Sequence, residues 1–198
     1  MNNTTKIKLL EKVADVLKNG QLAVIPTDTV YGIVASALDK NAVERVYKVR
    51  GRNVNKPCIV LCGEISDLSK LGIVLSENDK EILSKIWPNP VSVILPCLDK
   101  KFDYLHRGIN SLAIRIPKLE WLRKLLNEVG PIVAPSANLE GKPPAKNIIE
   151  AKRYFGERVS FYFEGKVSKD PSTIVLLSDG KLKVLRDGKF NVPSELLF

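Results

Sequence analysis

An α/β (α+β) fold built on one twisted mixed sheet with flanking helices is what this sequence predicts, and three observations predict it. Short apolar runs bounded by Gly, Pro or Asn recur at strand length, and they alternate with stretches whose apolar residues follow helical spacing. The last two runs are separated only by Ser178-Asp179-Gly180, a hairpin signal that makes at least one pair antiparallel. At 198 residues the chain can bury a core without disulfides or metals. No repeat, low-complexity linker or charge block divides it, so residues 1–198 are expected to form a single domain.

Each element has its own signal. Ile7, Leu10, Val13, Ala14 and Leu17 make one helical stripe over 5–18, closed by Asn19-Gly20. A strand is expected over 22–26, a polar turn next, and a second apolar run over 33–37. Ala42, Val43, Val46 and Val49 predict a helix over 40–50, ended by Gly51. A strand over 58–62 precedes a short helix over 66–71 and another over 79–86. Strands over 91–97, 111–116 and 131–135 follow, with a helix over 119–128 between the last two. Residues 147–155 read as helix, and 160–163, 172–177 and 181–186 as strands.

The net charge is +9 and the pI about 9.4, which favours polyanionic partners such as nucleotides or RNA but equally suits a solvated lysine-rich surface. The polar start and the lack of any span-length apolar run predict no membrane association. Three cysteines, an odd number, argue against a secreted disulfide framework and for a cytoplasmic protein. Cys58 and Cys62 would stand roughly 13 Å apart along a strand, too far for one tetrahedral ion, and His106 is the only histidine. The cysteines are therefore read as core, and no protein-held metal site is expected.

Five groups of residues are candidates for chemistry. Pro26-Thr27-Asp28-Thr29-Val30-Tyr31-Gly32 leaves a buried strand, and in extended backbone Thr27, Thr29 and Tyr31 point the same way. That row suits a small substrate with an amine and a carboxylate, and it suits an ordinary Thr/Asp turn as well; Asp28 is read as a turn residue rather than a metal ligand. Lys48, Arg50, Arg52 and Lys56 gather four cations around the helix-breaking Gly51, as a triphosphate clamp or as a solvated basic helix end. An apolar strand runs into Pro135-Ser136-Ala137-Asn138, whose small residues admit a ligand close to the backbone. Arg115 stands within an apolar strand and needs an anionic partner, while Arg186 precedes a turn and could serve a ligand or pair with Asp187.

There is no GxxxxGK[ST], GxGxxG or GxSxG motif, and one histidine leaves little scope for a triad. Chemistry on this chain has to rest on positioning and on cationic charge stabilisation.

The ordered set PTDTVYG, KVRGRNVNKP, SLAIRIP, PIVAPSANLEGKP, PSTIV and VLRDGK, spread over residues 20–189, resembles the YrdC/TsaC-type threonylcarbamoyl-AMP synthases. The resemblance implies a YrdC-like fold with a basic concave face, and a reaction in which L-threonine, bicarbonate (or CO2) and ATP give threonylcarbamoyl-AMP and pyrophosphate. Transferase partner proteins would then modify adenosine 37 of ANN-decoding tRNA. It implies ATP carrying Mg2+, a threonine pocket of Thr27, Thr29, Tyr31, Arg115, Ser136 and Ser172, and catalytic charge stabilisation by Arg52 and Lys56. The ATP site would comprise Arg50, Arg52, Lys56, Ser111, Asn138 and Arg186, with Lys146 standing where a hydroxyl is usual. Asn89 replaces a glycine, Leu61 a histidine, and Leu176 a frequent aspartate. The other class of function, suggested by the charge, is an RNA-binding or ribosome-associated module without adenylation. Longer family members carry a further C-terminal domain, for which this chain is expected to be too short.

Overall fold

The computed structural model describes residues 3–198, and side chains from residue 7 onward. Among the described residues nine strands form one sheet: β1 (Ala23–Pro26), β2 (Tyr31–Ser36), β3 (Val60–Leu61), β4 (Val91–Pro96), β5 (Ser111–Arg115), β6 (Ile132–Val133), β7 (Phe161–Tyr162), β8 (Thr173–Ser178) and β9 (Lys181–Arg186). The order across the sheet is β7-β1-β2-β6-β3-β5-β4-β8-β9. It is mixed: β1–β7, β3–β5 and β4–β8 are parallel, and the other pairs antiparallel. The helices are α1 (Asn3–Lys18), α2 (Lys40–Arg50), α3 (Glu77–Ile86), α4 (Asp103–His106), α5 (Glu120–Val129) and α6 (Ile148–Phe155).

Strand alternation sorts the apolar residues into two layers. Val24, Ile33, Ala35, Val60, Val93, Leu112 and Ile114 face α2, α3, α4 and α6 in the larger core. Ala23, Ile25, Val34, Leu61 and Ile132 face the opposite way and pack on Val13, Ala14 and Leu17 of α1 and on Leu122, Leu125 and Leu126 of α5. These two helices cover only the β1, β2, β6 and β3 end of their face. On β5, β4 and β8 that face keeps Ala113, Ile94, Ile174 and Leu176 only half-buried, and Lys181 and Lys183 of β9 stand exposed. The open half-face is where the polar residues of the next section collect.

The local reasons are ordinary. Asp39 caps α2 by accepting the Ala42 N–H at 3.1 Å, and Gly51 ends it at φ 60°, a left-handed geometry that glycine adopts without strain. Asp179 and Gly180, at φ 51° and 72°, form the two-residue hairpin turn between β8 and β9.

Several expected elements change extent or type. The strands expected over 58–62 and 131–135 pair only at Val60–Leu61 and Ile132–Val133, although Cys58 and Cys62 are buried. The 66–71 helix is a 3-10 helix, Ile65–Leu71. Of the α1 stripe, Ile7 is exposed and Leu10 half-buried, while Val13, Ala14 and Leu17 are buried. Asn89 is absent from the positive-φ residues of the described chain, and its amide donates to Ile86 O at 3.0 Å, so its backbone does not call for glycine.

Candidate active site

Pro26 and Tyr31 pair as the last register of the β1–β2 hairpin, so residues 27–30 reverse the chain rather than extend it. Thr27 and Thr29 therefore converge, their hydroxyl oxygens 3.0 Å apart. The Thr27 hydroxyl also donates to Val30 O at 2.7 Å and accepts the Thr29 N–H at 3.2 Å. Tyr31 does not join them in the cleft. Its buried hydroxyl donates to Gly165 O at 2.5 Å and accepts the Gly165 N–H at 3.0 Å, which pins the segment before β8. With Ser168 N–H bonded to Thr29 O at 2.6 Å, this segment is tied along the hairpin turn.

Arg115 ends β5 on the open half-face, 3% exposed, and its anionic partner is Asp28, 8% exposed, at 3.3 Å. Asp28 also accepts the Lys118 N–H at 3.1 Å, and Lys189 donates to the Asp28 carbonyl at 3.0 Å. Burial pushes the Arg115 guanidinium below its usual range, with Asp28 opposing the shift. Its Nη2 reaches Thr27 Oγ1 at 3.5 Å, and its buried Nε finds no acceptor. Across the cleft, Arg186 Nη2 donates to Ser172 O at 2.6 Å, and the Ser172 hydroxyl stands 3.0 Å from that of Ser92. Thr27, Thr29, Arg115, Ser136, Ser172 and Arg186 line a cleft of about 390 Å³. Lys169 lines it too. Sequence reasoning missed it, since it lies in coil outside any motif.

The basic cluster adjoins this cleft through one loop. Ser136 donates to Asn138 Oδ1 at 2.6 Å, and Arg50 Nη2 donates to the same oxygen at 3.1 Å while its Nε reaches Asn138 O at 3.0 Å. Arg50 is buried, with Nη1 lacking any acceptor. Arg52 Nε and Nη2 are held by the carbonyls of Lys56 and Pro57, at 3.1 and 2.9 Å. Its Nη1 lies 3.8 Å from Glu140, which also pairs with Lys56 at 3.3 Å. Three cations and one carboxylate thus sit beside a loop that also lines the cleft.

Two expected residues lie elsewhere. Ser111 opens β5 opposite Pro96, at the far end of the strand from Arg115, roughly 13 Å away by strand rise. Lys146 lines a second cavity with Pro143, Glu150, Arg153 and Tyr154, sharing only Pro144 with the cleft. Leu61 is fully buried and packs in the layer covered by α1 and α5.

A mixed sheet with a half-open face thus carries a hydroxyl-lined cleft that holds a buried arginine, with a basic loop beside it. Residues 15–188 match the Sua5/YciO/YrdC family model, described as "Telomere recombination", and the chain belongs to that family. It is 30% identical over 178 residues to the threonylcarbamoyl-AMP synthase of Pyrococcus abyssi, matching 88% of this chain and 52% of that protein. It is 28% identical over 182 residues to the enzyme of that name from Photobacterium profundum, covering 90% of this chain and 98% of that one. The crystal structure of P. abyssi Sua5 complexed with L-threonine superimposes with a TM-score of 0.82 at 30% identity, over 90% of this chain and 54% of that one. The E. coli YciO structure gives 0.82 at 23% identity, over 96% and 93%, a likeness of fold. The chain spans about half the length of the P. abyssi relative.

Proposed function

We propose that this protein is a threonylcarbamoyl-AMP synthase, which joins L-threonine, bicarbonate and ATP into threonylcarbamoyl-AMP with release of pyrophosphate and water. The observation that carries the reading is the continuity of cleft and clamp through Ser136–Asn138–Arg50. An amino acid in the cleft would then lie beside a nucleotide's phosphates.

In this reading Arg115 meets the threonine carboxylate, and the hydroxyls of Thr27, Thr29, Ser136 and Ser172 take its polar groups. Tyr31 shapes the wall by holding Gly165. The amine adds to CO2, formed from bicarbonate with loss of water, and gives up a proton to leave a carbamate. A carbamate oxygen attacks the α-phosphorus, the bond from that phosphorus to the α,β-bridging oxygen breaks, and pyrophosphate leaves. The protein contributes orientation and positive charge rather than a nucleophile. Arg50, Arg52 and Lys56 hold the phosphates, with Arg52 and Lys56 offsetting the charge that builds on the departing pyrophosphate. Asn138 and Arg186 contact the nucleotide; Ser111 and Lys146, by their placement, receive no role. ATP would enter as its magnesium complex, the ion carried with the substrate; Asp28, paired with Arg115 and accepting the Lys118 N–H, is given no part in holding it.

The product is an activated carbamate, which a transferase acting on tRNA in the cytoplasm would consume. No helix of the described residues is long and apolar enough to cross a membrane. An RNA-binding module without adenylation has only the net charge in its favour. The test is pyrophosphate release from Mg-ATP and bicarbonate, with and without L-threonine, and with serine as control. Release that needs threonine and bicarbonate, with the mass of the adenylate, supports the reading; release indifferent to both, or none, rejects it.

A further inference from the structure

The basic loop is held from behind by two residues that line no part of the cleft. Tyr47, on α2, is 3% exposed, and its hydroxyl donates to Lys56 O at 2.9 Å. That carbonyl is the one that also accepts from Arg52 Nε. Tyr47 and Arg52 therefore grip a single oxygen from two sides, and the bond from Arg52 Nη2 to Pro57 O completes the hold. With Nε and Nη2 engaged in this way, Nη1 is the part of the guanidinium turned to an anion, here Glu140.

Tyr47 is itself fixed by Arg107. The Arg107 guanidinium stacks on the Tyr47 ring, 3.9 Å from its centroid, and Nη1 pairs with Glu44 at 2.8 Å. Its Nε and Nη2 are buried and reach no acceptor, so the ring face is their principal compensation. Arg107 closes α4 in a left-handed conformation, φ 54°, that ordinary residues seldom adopt. The turn is secured on the other side by Gly108 N–H to His106 Nδ1 at 3.2 Å. Burial, and next to it Cys58, pushes the Tyr47 phenol up to about 12, so it remains a protonated donor throughout the physiological range.

We infer that Tyr47 and Arg107 are positioning residues for polyphosphate binding: Arg107 clamps the Tyr47 ring, and Tyr47 sets the Lys56 carbonyl that orients Arg52. The inference rests on the assignment of Arg52 and Lys56 as the phosphate clamp. Neither residue touches substrate, so each acts through Arg52.

The test compares Tyr47→Phe, which keeps the ring and the stack but removes the hydroxyl, with Arg107→Met and Arg107→Lys. Steady-state constants for Mg-ATP and L-threonine are measured beside direct binding of inorganic pyrophosphate by calorimetry, with thermal melting as the fold control. Tyr47→Phe is expected to weaken ATP and pyrophosphate by about five- to tenfold, the worth of one hydrogen bond, with the threonine KM unchanged and kcat within about twofold. Arg107→Met should move the same two constants in the same direction. Arg107→Lys should not rescue them, since lysine keeps the charge toward Glu44 but not the flat stack. Unchanged ATP and pyrophosphate constants in Tyr47→Phe, whatever the melting temperature does, overturn the inference. So does an equal loss for threonine and ATP, which would be general loosening. Weaker pyrophosphate binding in Tyr47→Phe by a protein that makes no adenylate would keep the positioning role and reject the adenylation reading. Adenylate synthesis with an unaltered ATP constant would do the reverse.

Discussion

The cleft and the clamp are both built on arginine, and burial makes them behave differently. In the cleft Arg115 and Asp28 are almost wholly withdrawn from water, and each must be matched by the other and by nearby backbone groups. In the clamp Arg50 is buried as well, but Arg52 has a side chain 19% exposed, Lys56 one 61% exposed, and Glu140, shared by these two, is 34% exposed. Charges in a low-dielectric site are fixed before a ligand arrives, whereas hydrated ones exchange partners at little cost. On the proposed reading the cleft would decide what fits, and the clamp how firmly a polyanion stays.

Arg115→Ala should break this contrast most severely. It leaves Asp28 buried without its cation, and loss of one partner of a buried pair costs about 3–5 kcal/mol. Chemical denaturation should show that loss, together with the disappearance of threonine-dependent turnover; a stability change within about 1 kcal/mol would mean that the pair is hydrated like the clamp. Arg52→Ala should do the opposite, lowering pyrophosphate release by about 10²-fold, as removal of one charge-stabilising donor does. Its cost in stability should stay near 1 kcal/mol, since it gives up backbone hydrogen bonds at a partly exposed site. Intact turnover in Arg52→Ala would remove the clamp from the mechanism.

Gly188→Ala sharpens the comparison from behind the cleft. A methyl group there would stand 2.5 Å from the Ser172 carbonyl carbon and the Thr173 nitrogen, and 2.6 Å from Pro171 O. Backbone has to move, at about 1–3 kcal/mol, and the displaced residue is Ser172. The expected outcome is a raised threonine KM with the pyrophosphate affinity of the clamp preserved, read by kinetics and calorimetry. A parallel loss of both would show that the two parts share one frame.

Much of this arrangement was legible in the chain where the signal was local. Helix α2 was placed by the spacing of Ala42, Val43, Val46 and Val49 and by Gly51, which is its C-cap. The β8–β9 hairpin followed from Asp179-Gly180. What the sequence did not carry was set by neighbours. Thr27, Thr29 and Tyr31 alternate as an extended row would, yet pairing of Pro26 with Tyr31 folds the row into a turn and sends Tyr31 to Gly165. Ser111 shares a motif with Arg115 but stands at the other end of the strand. Helix α4, four residues long, has no periodicity to detect, and Lys169 reaches the cleft only because Tyr31 and Thr29 tie down the segment that carries it.

The smallest expected effect is the most diagnostic of the clamp's exchangeable character. Glu140 pairs with two of the three clamp cations, while its backbone N–H is fixed to Arg50 O at 2.9 Å. On the proposed reading the carboxylate would stand in the place of a phosphate, and an incoming triphosphate would have to displace it. Glu140→Gln keeps the shape and the backbone bond but removes the charge. Exposed pairs of this kind are worth up to about 1 kcal/mol, so the ATP constant should fall by about two- to fivefold, with the threonine constant unmoved. The gain should shrink as added salt screens the exposed charges. If Glu140→Gln instead weakened ATP, the carboxylate would be holding the nucleotide's metal ion rather than competing with its phosphates, and the clamp would be as preorganised as the cleft.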